Sequence, residues 1–332
     1  MKQRQMGAGG PQVSCLGIGA MSFADFYGET TEANSFAVLD MARELGVTHI
    51  DTSNVYGMGR SETTIGKWLT ANPGARDGVH IATKGGITKD AEGRRCFDNS
   101  PAHLEGALDA SLGRLGVDCV DLYYAHRYQP DIPVEEVAGT LGRLVAKGKA
   151  RAIGFSEIAP ATLRRAHAEH PVAAIQSEYS LSTRAPELGL VQTCDALGIS
   201  LVAFSPVGRS LLTDSPVPHE IIESSPFLSV NPRFVEPNLS ANLHLAEGFR
   251  SLSADMGVPT AALAIAWLLH RSDRVIPIPG TRSTEHFSEL AQGAGLSLTE
   301  ADMVRIEEVL PVGWAHGDRY STAQWIGPQN YC

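Results

Sequence analysis

The stretch Gly46-Val47-Thr48-His49-Ile50-Asp51-Thr52-Ser53-Asn54-Val55-Tyr56-Gly57 is a short apolar run that ends in an aspartate and passes at once into a polar loop carrying a tyrosine. Two later segments finish the same way, Val79-His80-Ile81-Ala82-Thr83-Lys84 and Val120-Asp121-Leu122-Tyr123-Tyr124-Ala125-His126. Each reads as a buried parallel strand with a polar residue at its C-terminal end. In a (β/α)8 barrel these ends converge on one mouth, so residues far apart in sequence meet there. Asp51, Tyr56, Lys84 and His126 then form a single cluster.

Outward from these segments, short β-like runs alternate with helical stretches to about residue 294, the pattern of right-handed βαβ units around a parallel sheet. Eight strands are predicted, at 14–18, 47–51, 79–84, 120–126, 150–155, 173–178, 200–204 and 275–278. A hairpin turning at Gly9-Gly10-Pro11 precedes them. Helix signals fall between strands: Thr31-Glu32 opens a helix that stops at Leu45-Gly46, and Ser100-Pro101 opens one that stops at Gly116. The segment 211–240 holds Pro216, Pro218, Pro226, Pro232 and Pro237, which argues against a regular element and for an active-site loop over about 207–240. A last helix at 299–310, capped by Ser297-Leu298-Thr299, leads into a tail (311–332) with Trp314, Tyr320, Trp325 and Tyr331. The expected fold is α/β, a (β/α)8 TIM barrel with an N-terminal hairpin and a C-terminal extra helix and tail, forming one domain over 1–332.

A chain of 332 residues, 43% hydrophobic, can bury one large core. Its net charge of -10 disfavours nucleic acid and anionic membranes as partners. Cys15, Cys96, Cys119, Cys194 and Cys332 show no C-x-x-C spacing and no grouping with histidines, so neither a disulfide framework nor a metal site is expected. The first residues, Met1-Lys2-Gln3-Arg4-Gln5-Met6-Gly7, lack the apolar core of a signal peptide, and the longest apolar stretch, 261–269, is too short to span a bilayer. A cytoplasmic location is the expectation. Monomer and homo-oligomer both remain open.

The cluster has a chemistry. Reduction of a carbonyl by a nicotinamide hydride needs a proton for the developing alkoxide, and a tyrosine becomes a workable acid when a cation stabilises its phenolate. Lys84 supplies that cation, Asp51 holds the lysine charged against desolvation, and His126 orients or polarises the substrate oxygen. A Schiff-base aldolase would need a neutral Lys84, which the pairing with Asp51 opposes. His49, His80 and His103 sit inside strands or a helix and read as structural.

The ordered motifs resemble those of the aldo-keto reductases: Leu16-Gly17-Ile18-Gly19, Asp51 to Gly57, Ala82-Thr83-Lys84, Leu122 to His126, Gly148 to Ser156, Gln176 to Tyr179, Ala203 to Gly208, Ile278 to Arg282 and Gly317-Asp318-Arg319-Tyr320. Ile153-Gly154-Phe155-Ser156-Glu157 and Gln176-Ser177-Glu178-Tyr179-Ser180-Leu181 look most like the bacterial and fungal branch that includes pyridoxal reductases. The resemblance implies NADPH as cofactor, a small carbonyl compound as substrate and Tyr56 as acid. It implies Ser156, Glu157 and Gln176 at the carboxamide and Phe204 stacked on the nicotinamide. It further implies Ser205, Val207, Gly208 and Arg209 along the phosphates, Gly280, Thr281 and Arg282 at the 2′-phosphate, and His286 and Glu289 at the adenosine. Glu157 replaces a frequent asparagine, as does Leu290. Met21, Phe23, Phe26, Tyr27 and Tyr128, with Phe227 and Phe234, are the expected lining of an apolar substrate pocket, and Trp325 a candidate to close its mouth. The family's potassium-channel β-subunits suggest an alternative, a redox-sensing regulatory subunit with slow turnover.

Overall fold

The structure is a computed structural model that describes residues 1–26 and 28–330. A hairpin of β1 (Gln3–Gln5) and β2 (Gln12–Ser14) precedes the barrel. Then come β3 (Gly17–Gly19), α1 (Glu32–Glu44), β4 (His49–Asp51), α2 (Arg60–Ala71) and β5 (His80–Gly85). After a small hairpin, β6 (Ile87–Lys89) and β7 (Arg95–Phe97), follow α3 (Pro101–Leu115), β8 (Leu122–Ala125), α4 (Val134–Ala146) and β9 (Ile153–Ser156). The second half holds α5 (Pro160–Glu169), β10 (Val172–Glu178), α6 (Leu190–Leu197), β11 (Ser200–Phe204), α7 (His219–Ser224), α8 (Asn238–Asp255), α9 (Thr260–Arg271), β12 (Val275–Pro277), α10 (Thr284–Gln292) and α11 (Glu300–Val309).

Eight strands, β3-β4-β5-β8-β9-β10-β11-β12, pair in parallel in chain order. The two ends of the sheet meet where Gly19 N donates to Pro279 O at 2.9 Å. A Cβ on Gly19 would lie 2.6 Å from Ile278 O, and one on Gly280 2.6 Å from Gly19 O, so glycine at both positions lets the seam close. This is the expected (β/α)8 barrel. The helix signals act as read: Thr31 and Ser100 accept N-terminal amides of α1 and α3, Gly116 ends α3 at φ 67°, and Thr299 with Asp302 forms a capping box on α11.

Strand side chains alternate between two cores. Ala82, Leu122, Tyr124, Ala174, Val202 and Ile276 fill the barrel's interior, with Met6 and Val13 of the hairpin packed against the same cluster. Alternate residues such as Ile50, Ile81, Tyr123 and Ile175 face the helices in the larger core.

Two expectations need correction. The β6–β7 hairpin falls where only a connection was read. The proline-rich segment is not irregular throughout: α7 lies within it and α8 begins at Asn238, because prolines at 218 and 237 stand just before helix starts, where no intrahelical N–H is lost. Leu211, Ile222, Leu228, Phe234 and Leu239 give this segment a small core of its own. Among the described residues no single helix is long and apolar enough to cross a membrane.

Candidate active site

Asp51 ends β4, Lys84 stands in β5, His126 follows β8, and Tyr56 rides the turn after β4. Register brings the first three together: Asp51 pairs with Ala82, and Lys84 with Tyr124. Lys84 is fully buried, so its ammonium must be satisfied by protein, and all three donors are used. Nζ is ion-paired to Asp51 and donates to Thr52 O at 2.9 Å and to the Tyr56 hydroxyl at 3.2 Å. The other Asp51 oxygen accepts from Gln176 Nε2 at 2.8 Å. Burial by itself would strip the lysine of its proton, but Asp51 and Tyr56 outweigh it and hold the pKa above the ordinary lysine value.

His126 is opposite in character. Its burial, with Lys84, Arg127 and Arg95 nearby, pushes its pKa well below the usual histidine value, so it is neutral at pH 7. Ser53 Oγ lies 3.0 Å from its Nδ1, and its ring meets Tyr56 edge-on at 5.8 Å between centroids. Below the site His49 and His80 are in contact inside the barrel, Nδ1 to Nδ1 3.0 Å, as structural residues would be. His103, also read as structural, lines the outer part of the cavity.

Above this set opens a cavity of 1830 Å³. Asp51, Tyr56, His126, Ser156, Gln176 and Phe204 lie along it, and Ser205, Val207 and Arg209 follow. Ser205, Arg209 and Ser210 take left-handed φ of 50°, 55° and 76°, each costing about 1 kcal/mol. At the far end are Gly280, Thr281, Arg282, His286, Glu289 and Leu290. Ser283 caps α10 there, and Arg282 Nη1 donates to Glu29 O at 2.8 Å. Met21, Phe26 and Phe227 line the cavity; the last two rings are 5.3 Å apart.

Several expected positions lie elsewhere. Glu157 does not reach the cavity: its backbone turns to φ 60° and its carboxylate points into the wall. There it accepts from Ser177 Oγ at 3.0 Å and Glu178 N at 2.8 Å and is ion-paired to Arg319 of the tail. Burial would raise its pKa, but Arg319 overrides this and holds it below the usual carboxylate value. Gly208 stands behind the lining, where a Cβ would meet Ser182 Oγ at 2.9 Å. Phe23 and Tyr128 belong to the main core, Tyr128 with its hydroxyl on Ile132 O, and Phe234 to the core of the loop segment. Tyr27 is outside the described residues. Arg209 faces the cavity, but Nη2 is held by Glu178 at 2.6 Å. Trp325 does not close the mouth; it packs edge-on against Tyr320, which does line the cavity.

Sequence reasoning missed two contributors, Arg127 beside His126 and Ser53 behind it; it quoted Arg319 and Tyr320 in a tail motif but assigned Arg319 no partner. Arg127 was open to detection, since it follows a polar strand end directly. Among the described residues no group of His, Cys, Asp or Glu is placed to hold a metal ion.

Residues 15–311 match the model of the Aldo/keto reductase family. The chain belongs to the aldo/keto reductase family. It is 36% identical over 316 residues to the aldo-keto reductase yakc [NADP(+)] of Schizosaccharomyces pombe, covering 94% of this chain and 93% of that protein. It is 37% identical to the probable aldo-keto reductase 1 of Glycine max, over 95% of this chain and 91% of that one. Among solved structures, the glycerol dehydrogenase AKR11B4 of Gluconobacter oxydans superposes with a TM-score of 0.81 at 26% identity, over 93% of this chain and 94% of that one. The holo form of aldo-keto reductase AKR11C1 from Bacillus halodurans gives 0.78 at 27%, over 98% and 99%. As an aldo/keto reductase the protein is an oxidoreductase, and the cavity above Tyr56 is the place to seek its chemistry.

Proposed function

We propose that this aldo/keto reductase uses NADPH to reduce an aldehyde or ketone to an alcohol, with Tyr56 as the proton donor. One observation carries the reading: a fully buried Lys84 ammonium donates at once to Asp51 and to the Tyr56 hydroxyl at the floor of the cavity. A cation at 3.2 Å stabilises the phenolate that remains after the proton leaves. NADPH, when bound, supplies the hydride. In the tautomer whose Nδ1 accepts from Ser53 Oγ, neutral His126 carries its proton on Nε2, where it would steer the carbonyl oxygen toward Tyr56.

The cavity suits a dinucleotide. It exceeds the usual span for a small ligand, roughly 300–1,000 Å³, and so has room for cofactor and substrate together. Ser156 and Gln176 offer a hydroxyl and an amide near the catalytic floor, with Phe204 beside them as a stacking face. Ser205, Val207, Arg209 and the Gly280-Thr281-Arg282 run flank the remaining length, and Arg282 at the N-terminus of α10 suits a 2′-phosphate. The yakc relative carries NADP(+) in its name, which agrees with this choice.

The test follows NADPH oxidation over a panel of aromatic aldehydes, pyridoxal, short dicarbonyls and polycyclic ketones. Tyr56→Phe should cut turnover by about 1,000-fold yet leave NADPH binding unchanged. Near-normal turnover in that variant overturns the reading. NADPH binding without turnover of any carbonyl favours the regulatory-subunit alternative.

A further inference from the structure

Arg127 has one of the least explained side chains in the cavity wall. It is 9% exposed, and both of its hydrogen bonds leave from Nη1, to His126 O at 2.7 Å and Ser156 Oγ at 3.0 Å. Its Nε has no hydrogen-bond partner among the described residues. A guanidinium carries five donors and is never neutral, so one buried with donors to spare is costly unless an anion meets it.

A second cation stands close by. Arg95 of β7 lines the same cavity, its Cζ 5.3 Å from the centre of the Phe97 ring. Phe97 and Arg127 both press on one point of the tail: a Cβ on Gly327 would meet Phe97 Cζ at 2.7 Å and Arg127 Cδ at 3.1 Å. Both arginines act on His126, whose ring touches Tyr56. The pair is therefore at the reacting end of the cavity, away from Arg282.

Neighbouring carboxylates are already committed. Glu157 is taken by Arg319, and Glu178 is shared by Arg209 at 2.6 Å, Arg319 at 3.6 Å and Arg233 at 3.7 Å. Asp51 belongs to Lys84. Asp90 and Glu92 pair with Arg94. Among the described residues neither Arg95 nor Arg127 is ion-paired, and this in a chain of net charge -10.

We infer that Arg127 and Arg95 form an anion subsite beside Tyr56 and His126, so that the preferred carbonyl substrates carry a carboxylate or phosphate on an otherwise apolar body. This rests on the reductase reading. Arg127 is the inner contact and Arg95 the outer, with Met21, Phe26 and Tyr320 left for the apolar part.

The test compares 4-carboxybenzaldehyde with 4-carbamoylbenzaldehyde, nearly isosteric but differing by one charge, and glyceraldehyde 3-phosphate with glyceraldehyde to separate the two anions. In the native enzyme kcat/KM should favour the anionic member of at least one pair by about tenfold or more, chiefly through KM, and the preference should shrink with added salt. Arg95→Gln and Arg127→Gln should bring the pair close to parity, read as the ratio of kcat/KM for the anionic to the neutral member within each variant, with Arg127→Lys keeping part of the preference. Equal kcat/KM for both members of both pairs, or a preference untouched in both glutamine variants, overturns the subsite while the reductase assignment stands. Should no aldehyde be reduced, that assignment fails instead, and thermal shift of the NADPH-loaded protein decides the subsite. Benzoate then raises the midpoint and benzamide does not; equal responses overturn the inference.

Discussion

Lys84 shows how much one buried charge can organise. Its ammonium is tolerable in the barrel because Asp51, Thr52 O and the Tyr56 hydroxyl absorb all three donors. Lys84→Met should therefore do double damage. It leaves the Asp51 carboxylate buried without its counter-charge, costing about 3 kcal/mol or more by urea titration, and it lowers turnover by at least about 100-fold. Asp51→Asn tests the other side of the pair. Burial then acts on Lys84 with its main opponent removed, so the lysine pKa drops and the alkaline limb of the kcat profile moves to lower pH. An unmoved limb would mean that Asp51 does not hold the charge. At this scale the sequence was most legible, since Asp51, Lys84 and His126 each end an apolar run and Tyr56 sits in the polar loop that follows the first. Glu157 was the exception. It too follows a strand end, but a left-handed φ turns its carboxylate to an arginine 162 positions later, and no local pattern announces that partner.

Among the elements, the C-terminal tail does the most to complete the site. Asn231 Nδ2 donates to Arg319 O at 2.7 Å and Gln324 Nε2 to Phe227 O at 2.8 Å, so the tail and the proline-rich segment brace each other over the mouth, while Trp314 Nε1 ties the tail to the loop after β10 through Leu181 O at 2.9 Å. Arg319 pins both to the barrel wall. Glu157→Gln should loosen this clasp and lower stability by about 3 kcal/mol, because Arg319 is left buried with Glu178 alone at 3.6 Å. Truncation after residue 313 should leave the barrel's circular dichroism near native while exposing the 211–237 segment to proteolysis and raising KM for the carbonyl. A truncated protein as protease-resistant as the full chain would show that the tail does not brace that segment. The tail's aromatic residues pointed to packing, yet its contacts run to residues more than 80 positions away.

At the scale of the whole molecule, three histidines are buried among the described residues, His49, His80 and His126, and burial depresses the pKa of each. In the unfolded chain they titrate near 6.5. Between that value and their lower folded values the unfolded state binds more protons, so stability is complete above about pH 6.5 and declines as the pH falls below it. Each contributes a slope of up to about 1.4 kcal/mol per pH unit. Urea midpoints taken from pH 7.5 down to pH 5 should fall with a slope that His80→Asn reduces, and a flat profile would refute neutral burial.

What the sequence determined by itself is the barrel and the cluster of polar residues at the floor of its cavity. Both depend on short-range physics: apolar runs of strand length alternating with capped helices, each run ending in a polar residue, leave few other ways to bury the runs and gather their ends. What only the tertiary structure decided is which way the remaining side chains face and what they meet. Phe23 and Phe26 are three residues apart and chemically identical, yet one is core and the other lines the cavity. Glu157, Glu178, Arg209, Arg233 and Arg319 look like unrelated charges in the sequence and form one buried network in the fold. Pairing of that kind is set by long-range packing and by the cost of leaving a buried charge alone, neither of which has a local period to read.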